Sequence, residues 1–325
     1  MSSVRLSRAP VIATTAGCLV PGSLTPGIFV SGIFVSGIFL LGIDPPPWFT
    51  VGAGRWPFDA AVTVTVNAVT SPSTPARAET TVDSVTSRSI LVTGGNRGIG
   101  LAVVEAFTAS GDTVTATHRP GAVLPEVRGP GTVQWVPADV TDTAAVDAAF
   151  AAAEGAAGPV EVAVANAGMT RDTLTLRMSD EDWATVLDTN LTGAFRVARR
   201  ATWSMVRARR GRIVLISSVV GLLGSAGQVN YGASKAGMVG LARSLAREIG
   251  PRGVTVNVVA PGFVRTAMTD ELGEDRRRQI LGAVPLGRLA EPGEVAGVVH
   301  WLAGPAGGYV TGALVPVDGG LGMGH

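Results

Sequence analysis

The chain has 325 residues and a formal net charge of +1, so its overall charge gives no reason to expect nucleic acid or an anionic membrane as a partner. Hydrophobic residues make up 46% of the chain and charged residues 16%, a balance that indicates a large buried core. The one cysteine, Cys18, excludes an internal disulfide framework and is compatible with a reducing, cytoplasmic compartment.

Residues 1–88 differ in composition from the rest of the chain. Segment 27–43 is an imperfect Gly-Ile-Phe-Val-Ser repeat, and a Ser/Thr/Pro/Ala-rich stretch of linker composition follows at 70–86. Three interpretations are open: a membrane anchor or signal peptide, a disordered tail, and an artefact of start-codon choice. We favour the artefact.

Length and composition weigh against membrane insertion of this extension. As a helix, segment 27–43 would span about 26 Å, short of a ~30 Å hydrocarbon core, and its glycines and β-branched residues are poor helix formers. No methionine lies between Met1 and Met169, so a later start would be a valine or leucine, and Val69 is the candidate. We therefore expect the fold to begin at Ser89 without help from the extension.

From Ser89 onward, short apolar runs alternate with segments of helical periodicity. Seven runs, among them "SILVTGG", "VEVAVANAG" and "GVTVNVVAPG", have the length and β-branched content of strands. They are continuously apolar, which predicts strands buried on both faces, as in a parallel sheet. The sequence thus predicts one α/β domain over 89–325, a Rossmann-like doubly wound parallel sheet flanked by helices.

The turn after the first predicted strand reads "TGGNRGIG". Glycines there let the backbone turn tightly and approach a pyrophosphate, and the following helix N-terminus offers free N–H groups. A tight loop without a ligand is the alternative interpretation. Its place after the first strand favours dinucleotide binding through Gly94, Asn96, Arg97, Gly98, Ile99 and Gly100.

The end of the second predicted strand indicates which dinucleotide is bound. An NAD enzyme often places an acidic residue there, but this chain has His118 and Arg119. Arg119 and Arg97 could clamp a 2′-phosphate through their bidentate guanidinium groups. The alternative is that both are solvated surface arginines. We expect NADPH as the cofactor.

The chain has 26 basic residues, and Lys235 is the one lysine among them. Tyr231, one of two tyrosines, stands four positions earlier and therefore on the same face of a predicted helix. An ammonium is a compact point charge, whereas a guanidinium is a planar fork, so the two are not interchangeable in a confined site. An ordinary exposed lysine is the alternative.

These motifs, with "NAG" at 166–168, "NLTG" from Asn190, "ISSVVG", "YGASK" and "APGFVRT", resemble those of the short-chain dehydrogenase/reductase family. Within it the chain is most similar to the 3-oxoacyl-[acyl-carrier-protein] reductases, in particular the mycobacterial type that serves mycolic acid synthesis. The resemblance implies NADPH-dependent reduction of 3-oxoacyl-[acyl-carrier-protein] to the 3-hydroxyacyl form. It covers essentially all of residues 89–325.

The resemblance also implies roles for four residues. Tyr231 would be the general acid and would also contact the cofactor, and Lys235 would stabilise the phenolate of Tyr231 and bind the nicotinamide ribose. Ser218 would donate a hydrogen bond to the substrate carbonyl, with Ser217 as the structural alternative. Asn190 would open its helix to hold a water in a proton relay, which agrees with the tendency of asparagine to distort helices.

By the same resemblance, further cofactor contacts are expected after the third, fourth and sixth strands. The residues are Asp139, Val140, Asn166, Ala167, Gly168, Pro261, Gly262, Val264 and Thr266. The stretch 263–290 would be a mobile lid over the substrate. No metal site is expected.

The implied partner is acyl carrier protein, and the implied assembly is a homotetramer. Arg209 and Arg252 are candidates for docking the acidic carrier near the mouth of the active site, and Leu222 and Leu223 for lining an acyl pocket. Two alternatives remain. One is a reductase for another carbonyl, such as an acetoacetyl-coenzyme A thioester, and the other is a non-catalytic dinucleotide-binding regulator, which the intact catalytic set argues against.

Overall fold

The computed structural model describes residues 2–3, 65–66, 87–266, 269 and 273–323. Seven strands form one sheet in the part that follows residue 87. In chain order they are Ser89–Val92 (β1), Thr113–His118 (β2), Thr132–Pro137 (β3), Val162–Ala165 (β4), Gly211–Ile216 (β5), Val254–Pro261 (β6) and Leu314–Val317 (β7).

The sheet has the strand order β3-β2-β1-β4-β5-β6-β7, and every neighbouring pair is parallel. The predicted doubly wound parallel sheet is confirmed. The order reverses between β1 and β4, so the crevice outside the carboxyl ends of these two strands is where a doubly wound sheet binds its ligand.

Helices cover both faces of the sheet and join its strands. They are Gly98–Ala109 (α1), Thr143–Ala157 (α2), Asp180–Leu187 (α3), Gly193–Ala208 (α4), Val220–Leu223 (α5), Val229–Ile249 (α6), Glu274–Ala283 (α7) and Pro292–Ala303 (α8). Asp142 caps α2 by accepting a hydrogen bond from the N–H of Ala144. Helix α7 is the described helix of the predicted lid, 263–290.

Two buried clusters lie on opposite faces of the sheet. Alternate residues of a strand point to opposite faces, so Leu91 of β1 packs with α2, α4 and α6, while Ile90 and Val92 pack with α1 and α8. The helices therefore clamp the strands from both sides, which fixes the positions of the loops at the carboxyl edge.

The prediction that the strands are buried on both faces holds for the inner strands and is wrong for the edges. Every residue of β1, β4 and β6 is buried. In β3 and β7, by contrast, no residue is fully buried. Each edge strand has a neighbour on one side only and is covered less by the helices, so its apolar side chains keep some exposure.

Contacts divide the chain into two compact units, Met1–Thr80 and Thr81–His325. In the first, Ser2–Ser3 pairs antiparallel with Thr65–Val66. The hydrophobic segment 27–43 and the candidate start Val69 lie outside the described residues. Among the helices that are described, none has the length and apolar content needed to cross a membrane.

Candidate active site

The turn between β1 and α1 is too tightly packed to hold side chains at two of its glycines. Gly94 has a φ of +64°, a conformation that favours glycine, and a Cβ on Gly100 would overlap the Gly94 carbonyl oxygen. Asn96 Nδ2 donates to the carbonyl oxygen of Val123 at 3.5 Å, and Ile99 is half-buried. Within the described residues no side chain caps α1, so its first N–H groups face the crevice available to an anion.

The loop after β4 holds this glycine turn in place. Thr93 Oγ1 accepts hydrogen bonds from the backbone N–H groups of Asn166 at 3.0 Å and Ala167 at 3.1 Å. In return, Asn166 Nδ2 donates to the carbonyl oxygens of Thr93 at 2.9 Å and Gly94 at 3.0 Å. The Asn166 amide nitrogen thus holds the glycine turn against the loop after β4.

Side chains at the carboxyl ends of β2 and β3 complete one side of the crevice. Arg119 directly follows β2 and is exposed, as is Arg97 in the glycine turn. Asp139 Oδ1 accepts hydrogen bonds from the Thr141 N–H at 2.9 Å and the Thr141 hydroxyl at 2.8 Å. The backbone hydrogen bond is the main reason that the pKa of Asp139 lies below its usual range, and Arg119 adds a smaller attraction. Val140, next to it, is buried.

Segment 261–266, after β6, forms the opposite side of the crevice. The Gly262 N–H donates to the carbonyl oxygen of Val317 at 3.0 Å, and Val264 forms an isolated parallel bridge with Ala290. The Thr266 methyl carbon lies 3.4 Å from the position that a Cβ of Gly98 would take. The segment therefore lies next to the glycine turn.

Three of the predicted catalytic side chains converge where β5 ends and α6 begins. The Ser218 hydroxyl lies close enough to the Tyr231 phenol to affect its pKa, and the Lys235 Nζ lies 5.5 Å from the centre of the Tyr231 ring. Burial raises the pKa of Tyr231 above its ordinary value, and the Ser218 hydroxyl partly opposes that rise. The phenol is therefore a neutral hydrogen-bond donor over a wide pH range.

The structure separates Ser218 from its neighbour Ser217. The Ser217 hydroxyl donates to the backbone carbonyl of Lys235 at 2.8 Å and so ties β5 to α6. Ser218 is the residue that faces the phenol, as its spacing from Tyr231 predicts.

Lys235 is 3% exposed, so the alternative of an ordinary surface lysine is wrong. Its Nζ donates to the carbonyl oxygen of Ile216 at 2.8 Å, and no carboxylate of the described chain pairs with it. Burial lowers the pKa of Lys235 to about 8. A buried, unpaired ammonium costs stability, which indicates that the position is kept for chemistry.

Asn190 lies in a five-residue π-helix, Asp188–Thr192, inserted between α3 and α4. The predicted distortion of the helix at this residue is confirmed, and such insertions are frequent at functional sites. Asn190 is fully buried; its Oδ1 accepts from the Met169 N–H at 2.8 Å, and its Nδ2 donates to the Met169 carbonyl oxygen at 3.0 Å. A Cβ on Gly168 would lie 3.2 Å from Asn190 Oδ1 and 3.4 Å from Lys235 Nζ.

Two positioning residues were not predicted. Ser234 is fully buried; its hydroxyl accepts from Asn190 Nδ2 at 3.0 Å and donates to the Tyr231 carbonyl oxygen at 2.7 Å. Asn230 is also fully buried, and its Oδ1 accepts from the Tyr231 N–H at 2.7 Å. Their place within "NYGASK" was the available signal, since small polar residues beside a tyrosine on a buried helix need partners.

Arg209 and Arg252 do lie together, because Arg209 Nη2 donates to the carbonyl oxygen of Pro251 at 3.4 Å. Their predicted position near the active-site mouth is wrong within one chain. They precede β5 and β6, whereas Ser218 follows β5, and the length of β5, roughly 17 Å, separates the two ends. In a parallel sheet the residues before a strand and those after it lie on opposite edges.

Comparison with known proteins identifies the family of the chain. The family model described as enoyl-(acyl carrier protein) reductase matches residues 94–322, more than two thirds of the chain. The chain belongs to the short-chain dehydrogenase/reductase family.

Among reductases of this family, similar relatives share 44–51% identity. The 3-oxoacyl-[acyl-carrier-protein] reductase MabA of Mycobacterium tuberculosis is 51% identical over 239 residues, which cover 74% of this chain and 94% of MabA. MabA of Mycobacterium avium is 48% identical over 74% of this chain and 91% of its own. The 3-oxoacyl-[acyl-carrier-protein] reductase FabG of Escherichia coli is 44% identical over 72% of this chain and 96% of its own.

Proposed function

We propose that the chain is an NADPH-dependent 3-oxoacyl-[acyl-carrier-protein] reductase that acts in fatty acid or mycolic acid elongation. The observation that carries the proposal is the convergence of Ser218, Tyr231 and Lys235 beside the glycine turn at the carboxyl edge of the sheet. The names of the relatives support the substrate class.

The glycine turn supports the cofactor class. A Cβ on Gly100 would overlap the Gly94 carbonyl oxygen, so the turn is tight, and no side chain of the described residues caps the N-terminus of α1 that follows it. A helix N-terminus after such a turn suits a pyrophosphate. Once bound, the nicotinamide would supply hydride to the carbonyl carbon of the substrate.

The chain's own residues would then bind the carbonyl oxygen of the substrate and supply its proton. Ser218 would donate a hydrogen bond to the carbonyl oxygen, and Tyr231 would give that oxygen its proton. The Lys235 ammonium would stabilise the phenolate that forms, at the distance the buried site fixes. Asn190 and Ser234 would hold the backbone on which both groups depend.

The cofactor preference should depend on Arg119. Replacing Arg119 with alanine should lower kcat/KM for NADPH much more than for NADH, because a 2′-phosphate loses one arm of its clamp. Initial rates with each cofactor, at a fixed concentration of thioester substrate, measure the effect. Arg128→Ala, another exposed arginine, is the matched control and should leave the preference unchanged. Equal kcat/KM for the two cofactors in the parent protein would refute the clamp.

The substrate class is tested by comparing three thioesters at one concentration of NADPH. The proposal predicts faster reduction of 3-oxoacyl-[acyl-carrier-protein] than of acetoacetyl-coenzyme A, and no reduction of a 2-enoyl thioester. A preference for the coenzyme A substrate would favour the alternative reductase function. Cofactor binding without any reduction would favour the non-catalytic regulator.

We further propose a homotetramer as the working assembly. Support comes from α4, where Phe195 and Trp203 lie eight positions apart on one face and are 40% and 66% exposed. Sedimentation equilibrium of the purified chain should give four times the chain mass, and Trp203→Glu should lower it. A monomer at all concentrations would contradict this part of the proposal.

A further inference from the structure

The space beside Gly168 brings an exposed position within contact distance of the Lys235 amine. Gly168 lies in the loop after β4 and is exposed, although Lys235 is buried. An atom in the place of a Gly168 side chain would have three polar atoms as its nearest neighbours outside residues 167–169. They are Asn190 Oδ1 at 3.2 Å, Lys235 Nζ at 3.4 Å and the Asn166 carbonyl oxygen at 3.8 Å. We name this space the Gly168 gap.

The distance from the Gly168 gap to Nζ suits bond formation. Atoms about to react approach to ~3–3.5 Å, and an atom in the gap would lie 3.4 Å from Nζ. A neutral amine attacks a carbonyl carbon, and burial favours the neutral form of a lysine. Burial lowers the pKa of Lys235 to about 8, and no carboxylate of the described chain pairs with it. The gap would therefore bring a carbonyl compound to a nucleophilic amine.

This amine has few competitors in the chain. Lys235 is the one lysine, so the only other primary amine is that of the N-terminus. Arginine guanidinium groups stay protonated and do not form imines under the same conditions. A reagent that is selective for amines therefore has one side chain to modify.

We propose that the Gly168 gap is a covalent site for small aldehydes, which form an imine with Lys235 in the cofactor-free protein. The Nζ lone pair forms a bond to the aldehyde carbon, and a proton moves from nitrogen to oxygen to give a carbinolamine. The hydroxyl group then leaves with the second nitrogen proton as water, and a C=N bond remains. No oxidant or reductant is needed.

The imine would occupy the gap and tie up the Lys235 amine. It would therefore inactivate a reductase that needs this lysine free beside Tyr231. That consequence rests on the proposed function, whereas the covalent site itself rests on the geometry of the Gly168 gap.

The test uses propanal with sodium cyanoborohydride, whose hydride reduces the imine to a stable propylamine, and locates the product by peptide mass spectrometry. Arg128→Lys, at an exposed position, supplies a surface lysine for comparison in the same chain. Gly168→Ala fills the gap with a methyl group, and the φ of Gly168 lies outside the left-handed region. Gly155→Ala, at an exposed glycine of α2 where the methyl group meets no described atom within 4 Å beyond its own helix, is the matched control.

In the Arg128→Lys background, propylation of Lys235 should be at least as fast as that of the introduced lysine. Gly168→Ala should slow the reaction at Lys235 by about 10- to 100-fold, because the aldehyde carbon can no longer reach reacting distance. It should leave the introduced lysine unaffected, and Gly155→Ala should change neither rate. Saturating NADPH should protect Lys235 alone. Equal melting temperatures for the two alanine variants would confirm that the folded protein is compared.

Modification of the introduced lysine without modification of Lys235 would overturn the proposal. Equal modification of Lys235 in the parent and in Gly168→Ala would also overturn it, because the aldehyde would then arrive by another route. If Gly168→Ala protects Lys235 and NADPH does not, the covalent site is supported and the proposed cofactor site is contradicted. The measurement needs no turnover, so an inactive parent protein would refute the reductase function alone.

Discussion

Replacing Tyr231 with phenylalanine is expected to lower kcat for thioester reduction by about 10²- to 10⁴-fold, the usual contribution of a positioned general acid. The substitution removes one hydroxyl and leaves the ring in its place. NADPH affinity should change little, because the proposed pyrophosphate site is the glycine turn and the ring of residue 231 keeps its place.

The chain supplies a matched control for this substitution in its other tyrosine. Tyr309 is fully exposed, at 101%, so Tyr309→Phe should leave turnover and thermal stability unchanged. Single-turnover rates with saturating NADPH separate loss of chemistry from loss of binding. Near-parent turnover in Tyr231→Phe would mean that another group donates the proton.

Replacing Lys235 with arginine is expected to lower kcat by about 10²-fold even though the positive charge is kept. Arginine is as good a helix former as lysine. The site is closed, however, because Lys235 is buried and its Nζ is held by the Ile216 carbonyl oxygen. The larger planar head must displace either the phenol or the cofactor ribose, and a displacement of ~1 Å costs about 10²-fold.

Burial changes the stability expected of this variant. From the sequence, Lys235→Arg should fold normally. In the structure, the larger arginine side chain must fit into a packed site. This should lower the free energy of unfolding by about 1–3 kcal/mol and reduce the melting temperature without preventing folding. Lys235→Met is the matched comparison: it has a similar length and no charge, and it should be inactive but at least as stable as the parent.

Together, the two variants separate charge from shape. If charge alone sufficed, Lys235→Arg would keep near-parent turnover while Lys235→Met lost it, and our explanation for the single lysine would fail. The pH dependence of turnover gives a further test, because the direction of the change can be predicted. Burial lowers the pKa of Lys235 to about 8, so parent turnover should fall as the pH rises through that value and the ammonium is lost. The arginine variant should show no such decline there.

The inner strands could be predicted from the sequence because their burial follows from their own apolar residues. Ile90, Leu91 and Val92 are all apolar and all buried, so a continuous apolar run correctly predicts an inner parallel strand. The edge strand β3 already differs in sequence, because Gln134 interrupts its apolar run. The coverage of its other side chains depends on helices that are distant in sequence.

The candidate site was predictable where spacing along one element fixes the geometry. Tyr231 and Lys235 are four residues apart on α6, so their proximity follows from helical periodicity alone. Other contacts join loops that follow different strands. They are the hydrogen bond from Asn166 to Gly94 in the glycine turn and the hydrogen bond between Gln228 and Asp172. Such contacts depend on the assembled sheet.

The misplacement of Arg209 has a different cause. Arg209 is close to Ser218 in sequence, but a strand of roughly 17 Å separates the two residues. Closeness in sequence therefore does not place a residue at the active-site edge of a parallel sheet.

The most direct test of the proposed reaction is the fate of a labelled hydride. The full chain is supplied with 3-oxoacyl-[acyl-carrier-protein] and with NADPH deuterated at the transferable position, and the product is analysed by mass spectrometry and nuclear magnetic resonance. We predict one deuterium on the carbon that carried the ketone, in a 3-hydroxyacyl product, and formation of that product about 10²- to 10⁴-fold more slowly with Tyr231→Phe. Oxidation of NADPH without that product, or label elsewhere in the acyl chain, would contradict it.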